Sequence, residues 1–288
     1  MISFVILHYK NINDTLECIK SIKKIKTNKN ISIIVVDNNT LNDEEKEMLE
    51  LYTKDIIMLK ENVGFAKGNN EGCKYAIEKY QPDFLCVINS DTVIEQNEFV
   101  DKVYSLYNQY EFDIMGPKIL PEESESCNPF PVYSTLEQVN ERIKYTERLI
   151  KIYQNRFLRL LLNMYINTKR IFVKPIKPVN GNKDLTNVGL HGCALIFSKK
   201  YYEKFENIFY PNTFLFHEEE FLYLRSKQNK LITLYSPSIE IIHKEGQSIS
   251  KKFNNKKYDA LIFRNKEILK SLKLLKKEIE NNKMQWED

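Results

Sequence analysis

The segment that decides the fold is residues 84–92, which read Phe-Leu-Cys-Val-Ile-Asn-Ser-Asp-Thr. Five apolar residues in a row are typical of a strand that is buried on both faces of a parallel sheet. Asp91 then lies at the carboxyl end of that strand, which is the edge where open α/β sheets bind their ligands. Oxygen ligands at this edge can hold a hard divalent cation, which can in turn bind a diphosphate. The segment therefore predicts a buried central strand with a ligand site at its end.

Strand and helix patterns alternate around this segment over the first 120 residues. Apolar and β-branched runs predict strands at 2–7, 31–36, 55–59, 84–88 and 113–115. Apolar residues at helical spacing predict helices at 14–26, 44–51, 69–80 and 97–107. This alternation predicts an α/β fold with a doubly wound, mostly parallel sheet flanked by helices.

After residue 120 the alternation of strands and helices first stops and then resumes. Prolines bracket a basic, Leu- and Tyr-rich helical insertion, after which come short strands, one of them at 239–242, and an acid-rich helix. A basic amphipathic helix, predicted at 258–280, can pack on the domain, on a second subunit or on a membrane. The predicted organisation is one domain at 1–250, divided into 1–120, 121–186 and 187–250, with a tail at 251–288.

The composition indicates a folded protein of a reducing compartment. Hydrophobic residues make up 42% of the chain and aromatic residues 12%, which suffices for a core and argues against disorder. The five cysteines include no Cys-x-x-Cys pair, so we expect free thiols rather than a disulfide framework. The first apolar run has no basic region ahead of it, and no apolar segment reaches the length of about 18 residues that a spanning helix needs. We therefore expect a cytoplasmic protein, or one peripheral to a membrane.

The net charge of +4 is spread unevenly along the chain. Residues 142–178 carry ten Lys or Arg residues and one acid, and residues 251–288 carry eleven against six. Two basic segments on an otherwise acidic chain indicate contact with an anionic surface or ligand, although both can also be solvated helices. Nucleic-acid binding is disfavoured, because the remaining chain is acidic and carries no recognisable nucleic-acid-binding motif.

The turn after the first strand lacks a glycine-rich nucleotide loop. The chain has no glycine before Gly64, so neither the dinucleotide fingerprint nor the P-loop pattern occurs there. Asp37 ends the second strand, where it can accept a hydrogen bond from a base or ribose or, alternatively, cap the next helix. Residues 62–72 form a Gly- and Asn-rich loop that enters a helix. Such a loop can bind an anion through free amides, or it can serve only as a turn.

Two further groups of residues have the chemistry of a catalytic site. Glu218, Glu219 and Glu220 begin a helix, and because adjacent carboxylates repel, one of them can have a raised pKa and accept a proton. Acids in a first helical turn also simply complement the helix dipole. His243 follows a strand, where its neutral imidazole can help Asp91 to bind a metal ion or can be structural.

In their order and spacing, these motifs resemble glycosyltransferase family 2, the inverting enzymes with the GT-A fold, particularly the rhamnosyltransferase-like and capsular polysaccharide branch. The resemblance covers roughly residues 1–120 and 187–250. It rests on seven segments: Val-Ile-Leu-His-Tyr-Lys-Asn at 5–11, Val-Val-Asp-Asn-Asn at 35–39, Asn-Val-Gly-Phe-Ala-Lys-Gly-Asn-Asn at 62–70, Val-Ile-Asn-Ser-Asp-Thr at 87–92, Gly-Cys-Ala-Leu-Ile-Phe at 192–197, Phe-Leu-Phe-His-Glu-Glu-Glu at 214–220 and His-Lys-Glu-Gly-Gln-Ser at 243–248.

This resemblance implies a UDP- or dTDP-sugar donor, a Mg²⁺ or Mn²⁺ cofactor and inversion at the anomeric carbon. The acceptor would be a glycan, which we expect to be linked to undecaprenyl diphosphate, and the helical insertion would shape its site. Asp91 and His243 would bind the metal ion, and Glu219 would be the catalytic base, with Glu218 as the alternative. The nucleotide sugar would be bound by His8, Asp37, Gly64, Lys67, Asn70, Asn89, Asp91, Gly192 and Cys193. The chain departs from the family pattern at Asn89 and Glu219, where the family has aspartate.

Two other interpretations compete with the transferase. A nucleotidyltransferase uses a similar sheet, but it would normally have a Gly-rich, Lys- or Arg-bearing loop right after the first strand. A catalytically silent sugar-binding or scaffold protein would keep the fold and lose the acids of the pocket, whereas Asp37, Asp91, Glu218 and Glu219 are all present. The basic, Leu-rich segment at 156–162 has the composition of an interfacial helix, which suggests peripheral binding to an anionic membrane.

Overall fold

The structure is a computed structural model that describes residues 1–121, 128–168, 181–244 and 257–281. Within these residues the first half alternates strand and helix as far as the central strand. Its elements are β1 (Ile2–His8), α1 (Ile12–Lys23), β2 (Ile31–Asp37), α2 (Asp43–Glu50), β3 (Asp55–Met58), α3 (Phe65–Tyr80) and β4 (Phe84–Asn89).

The second half contains shorter strands and longer helices. Its elements are β5 (Thr92–Val93), α4 (Phe99–Tyr110), β6 (Ile114–Pro121), α5 (Leu136–Gln154), α6 (Arg156–Thr168), β7 (Leu185–Thr186), β8 (Ala194–Ser198), α7 (Lys199–Tyr202), α8 (Glu218–Asn229), β9 (Thr233–His243) and α9 (Lys257–Asn281).

The strands form one mixed sheet in the order β3-β2-β1-β4-β8-β6-β9-β5, with β7 paired to β9. Strands β3, β2, β1 and β4 are mutually parallel, and β6 is parallel to β9. Strand β8 runs antiparallel to both of its neighbours, β4 and β6. The mostly parallel sheet flanked by helices is confirmed. The carboxyl ends of β1, β2 and β4 therefore share one edge, which is where this class of sheet binds ligands.

Burial on both faces explains the continuous apolar strands. Phe4 and Ile6 of β1 pack in the cluster beneath α1 and α4, whereas Val5 packs in the opposite cluster beneath α3. Alternate side chains of a strand point to opposite faces, so a strand that is covered on both faces must be apolar at every position. Residues 84–88 of β4 are buried for the same reason.

The predicted helical insertion is confirmed in its described part as α5 and α6, and the predicted tail helix as α9. α9 packs on α5 through a third apolar cluster, in which Leu272 and Leu275 meet Val139 and Phe221. Of the three placements considered for the tail, packing on the domain is the one observed. No helix in the described ranges is long and apolar enough to cross a membrane.

The predicted helix bounds differ from the observed ones by up to four residues, and the largest difference is at the start of α3. α3 begins at Phe65, whereas its predicted start was residue 69. Gly64 adopts φ 87° directly before the helix, and a Cβ at this position would lie 2.3 Å from the Phe214 carbonyl oxygen. The glycine therefore allows the loop to approach Phe214 and turn into the helix at once. The Gly- and Asn-rich stretch is thus mostly helix rather than loop.

Candidate active site

The end of β4 brings Asp91 against a histidine from the far end of the chain. The Asn89 carbonyl accepts a hydrogen bond from Thr92 Oγ1 at 2.7 Å, which turns the chain into β5. β5 pairs with β9 in an antiparallel register that sets Thr92 opposite His243. As a result, Asp91 Oδ1 lies 3.3 Å from His243 Nε2. The predicted proximity of these two residues is thus observed.

The Asp91–His243 pair fits a divalent cation. Two adjacent ligands of an ion bound at about 2.0–2.2 Å lie roughly 3 Å apart, which is close to the observed separation. His243 Nδ1 is buried and has no hydrogen-bond partner among the described residues. Those residues contain no cluster of three or more His, Cys, Asp or Glu side chains that could hold an ion. Asp91 and His243 would therefore hold Mg²⁺ or Mn²⁺ together with ligand oxygens, as Mg²⁺ sites commonly do.

A third polar residue, His191, stands beside this pair and was missed in the sequence. Its ring centroid lies 5.9 Å from that of His243 and 5.3 Å from that of Phe130. Burial, followed by the neighbouring His243, lowers the pKa of His191 to about 4, so its ring is neutral at physiological pH. The available signal was its position directly before Gly192, in a segment already assigned to the pocket.

The His191–Cys193 segment connects the Asp91–His243 pair to the acidic helix. The Cys193 carbonyl accepts a hydrogen bond from Asn89 N at 2.8 Å. One residue earlier, Gly192 N donates to Glu219 Oε1 at 3.0 Å. A Cβ at Gly192 would lie 2.9 Å from the same oxygen, so this glycine makes room for the carboxylate. Cys193 is almost completely buried.

Glu219 has the environment of a proton acceptor. Its side chain lies in the first turn of α8 and lines a small pocket with the apolar side chains of Leu190 and Leu222. Burial, followed by the charge of Glu220, raises the pKa of Glu219 to about 6. A carboxylate with this pKa is ionised at neutral pH and more basic than an ordinary glutamate.

Glu218 differs from its neighbour. It is buried, and its Oε1 has no hydrogen-bond partner in the part of the chain that the structure describes. Burial, with the adjacent Glu219 charge, raises the pKa of Glu218 well above its ordinary value. Glu219, which accepts the hydrogen bond from Gly192 N, stays the candidate for the base, with Glu218 as the alternative.

Asp37 lies at the end of β2 and holds the loop that follows this strand. Its carboxylate accepts hydrogen bonds from Thr40 N at 2.9 Å and from Leu41 N at 3.2 Å. The alternative role of helix cap is wrong, because Asn42 caps α2 in a capping box with Glu45. Contact of Asp37 with a base or ribose stays a prediction.

Asn70 is likewise engaged by the protein. Its side chain donates to the Phe209 carbonyl at 2.9 Å and accepts from Phe209 N at 2.8 Å. These two hydrogen bonds link α3 to the segment that leads into α8. The hydrogen bond from Phe65 N to the Phe214 carbonyl, at 2.8 Å, links the same two parts of the chain. The predicted contact of Asn70 with a nucleoside stays a prediction.

The two remaining candidate residues, His8 and Lys67, differ in solvent exposure. His8 is fully buried, and its Nδ1 pairs with Thr15 Oγ1 on α1 at 2.7 Å. Lys67 is exposed in the first turn of α3, three residues after Gly64. The structure therefore links the Asp91–His243 pair to Gly192, Cys193 and Glu219 through Asn89 and His191. Asp37, Asn70 and His8, in contrast, hold parts of the fold. Their roles in binding a nucleotide sugar stay predictions.

Comparison with known proteins agrees with this architecture. The family model described as Glycosyl transferase family 2 matches residues 3–204. The low-salt glycan biosynthesis hexosyltransferase Agl10 of Haloferax volcanii is 24% identical over 133 residues, which are 45% of this chain and 40% of Agl10. The match thus spans less than half of that relative's length.

Solved structures show the same fold. The crystal structure of S. aureus TarS 1-349 superposes with a TM-score of 0.53 at 15% identity, covering 97% of this chain and 70% of that one. The same TarS fragment in complex with UDP gives a TM-score of 0.54 at 12% identity, again over 97% and 70%. The fold and site define an α/β protein of the GT-A class. The chain belongs to glycosyl transferase family 2.

Proposed function

We propose that this protein is a metal-dependent, inverting glycosyltransferase that moves a hexosyl residue from a UDP- or dTDP-sugar to a hydroxyl group of a glycan. The observation that carries the proposal is the chain of contacts from the Asp91–His243 pair through residues 191–193 to Glu219. It brings a cation-binding pair and a carboxylate of raised pKa to one sheet edge, as transfer from a diphosphate requires.

The chemistry follows from these groups. Glu219 accepts the acceptor's hydroxyl proton while the acceptor oxygen bonds to the anomeric carbon. The bond between that carbon and the diphosphate oxygen breaks, and its electron pair leaves with the nucleoside diphosphate. A bound divalent cation supplies positive charge that stabilises this leaving group. Because attack and departure are on opposite faces of the sugar, the anomeric configuration inverts.

A nucleotide-release assay tests the proposal. The purified protein is incubated with Mn²⁺, simple alkyl glycosides and, in turn, UDP-glucose, UDP-N-acetylglucosamine and dTDP-rhamnose. We expect release of UDP or dTDP from at least one donor and a product of inverted anomeric configuration by NMR. The UDP complex of the TarS relative supports testing UDP-sugars first. Release from none of these donors, with or without Mn²⁺, contradicts the proposal and favours the silent scaffold.

We further propose that the acceptor is a glycan carried on undecaprenyl diphosphate, and that α6 brings the enzyme to the anionic inner face of the cytoplasmic membrane. Apolar side chains of α6 face solvent rather than the core: Phe157 is 66% exposed and Leu160 58%. Arg156 and Arg159 flank them, within a segment that has ten basic residues and one acid. Exposed apolar side chains beside basic ones are typical of helices that lie in a membrane interface.

Vesicle flotation tests the membrane contact. The wild type should float with vesicles that contain phosphatidylglycerol and remain below with phosphatidylcholine alone, because both charge and apolar insertion contribute. The double variant Phe157→Ser, Leu160→Ser should lose flotation. Leu51→Ser is the matched control, because Leu51 is 79% exposed but lies at the C-cap of α2, outside the basic segment. Equal recovery of wild type and double variant contradicts the contact.

A further inference from the structure

The His191 side chain is partly exposed, yet several contacts hold it in place. Its ring contacts Phe130 edge-to-face and also adjoins the ring of His243. Its backbone N–H donates to Asn128 Oδ1 at 2.7 Å, and Asn128 Nδ2 donates to the Pro117 carbonyl at 2.7 Å. Backbone and ring are therefore both fixed before any ligand binds, which is the property of a preorganised binding group.

The hydrogen bonding of the ring determines its tautomer. His191 Nδ1 lies 3.1 Å from Cys193 N, which donates a hydrogen bond to it. A ring nitrogen that accepts a hydrogen bond carries no proton, so in the neutral ring the proton is on Nε2. Nε2 lies on the opposite edge of the ring from Nδ1. His191 thus presents a fixed N–H donor on the edge that faces away from its own backbone.

The position of this donor indicates its ligand. The ring adjoins His243, which lies 3.3 Å from Asp91, and the next residue, Gly192, contacts Glu219. A neutral N–H donor on a ring beside the proposed cation site has the chemistry to bind a phosphate oxygen that gains negative charge as a bond breaks. We infer that His191 Nε2–H donates a hydrogen bond to the diphosphate of the nucleotide sugar. This inference rests on the proposed function.

Two substitutions separate this role from a structural one. Asparagine places an acceptor where Nδ1 lies, so His191→Asn keeps the hydrogen bond from Cys193 N and removes the distal donor. Glutamine places an N–H near Nε2, so His191→Gln keeps the distal donor and removes the partner of Cys193. We expect kcat for release of nucleoside diphosphate to fall about 10²-fold in His191→Asn and less than tenfold in His191→Gln.

Binding of UDP gives a readout that does not depend on turnover. In calorimetric titrations with Mn²⁺, His191→Asn should bind UDP about tenfold more weakly than His191→Gln, because it lacks a donor to a charged oxygen. Both variants should unfold at temperatures close to that of the wild type. The reverse order, equal losses or no loss in either variant overturns the inference while the proposed function stands. A wild type that binds neither UDP nor dTDP overturns both.

Discussion

The substitution Glu219→Gln isolates the proposed base with little change to its surroundings. The glutamine oxygen can still accept the hydrogen bond from Gly192 N, and its volume suits the space that Gly192 leaves. What is lost is the ability to accept a proton. General-base catalysis contributes about 10²- to 10⁴-fold, so kcat should fall by this factor, equivalent to about 3–5 kcal/mol of transition-state stabilisation. The KM of the donor should change little.

The pH dependence provides a second signature of the same group. The base must be ionised, and burial with the Glu220 charge raises the pKa of Glu219 to about 6. The wild-type kcat/KM for nucleotide release should therefore rise about tenfold per pH unit below pH 6 and level off above it. In Glu219→Gln this acid limb should disappear, and the residual rate should be flat between pH 5 and 8.

Glu218→Gln is the matched control, since it makes the same isosteric replacement at the adjacent carboxyl, which is not the proposed base. It should keep near wild-type activity and the same acid limb. The assignment is refuted if Glu218→Gln loses activity by 10²-fold or more while Glu219→Gln keeps both its rate and its pH profile. Thermal unfolding of both variants at pH 7 verifies that neither result reflects loss of the fold.

Two further outcomes concern stability. Because burial raises the pKa of Glu218 above its ordinary value of about 4.5, the folded state binds more protons than the unfolded state, so the wild type should lose stability as pH rises above about 4.5, and Glu218→Gln should flatten that fall in urea titrations; equal slopes argue against a raised pKa of Glu218. Gly64→Ala should lower the free energy of unfolding by at least about 2 kcal/mol, because φ 87° is strained for alanine and its Cβ would lie 2.3 Å from the Phe214 carbonyl oxygen. Lys74→Ala, exposed on the same helix, should change it by less than about 0.5 kcal/mol, and equal effects would contradict the strain argument.

The fold was largely predictable because its signals are local. Continuous apolar runs such as 84–88 indicate strands buried on both faces, and their alternation with amphipathic helices restricts the topology to a mostly parallel sheet. The start of α3 was missed because its first turns contain Gly and Asn residues, which ordinarily favour loops. Tertiary contact with Phe214 outweighs that local preference.

The site was predictable only in part. A sequence shows which residues have suitable chemistry, but it does not show which residues they contact. The closeness of Asp91 and His243 depends on the pairing of β5 with β9, and two-residue strands leave little sequence signal. Asn70 has the same chemistry whether it binds a nucleoside or, as observed, the backbone of Phe209. The tautomer of His191 follows only from a backbone contact that no pattern encodes.

The most direct test of the central claim, a nucleotide-diphosphate site at the Asp91–His243 edge, is a calorimetric titration. UDP and dTDP are titrated into the wild type and Asp91→Ala, each with and without Mn²⁺, after circular dichroism has shown that both are folded. The account predicts Mn²⁺-dependent binding of at least one nucleotide to the wild type and its loss in Asp91→Ala, because Asp91 is one of the two proposed protein ligands of the cation. Binding that is unchanged in Asp91→Ala, or no binding to the wild type under either condition, would contradict it.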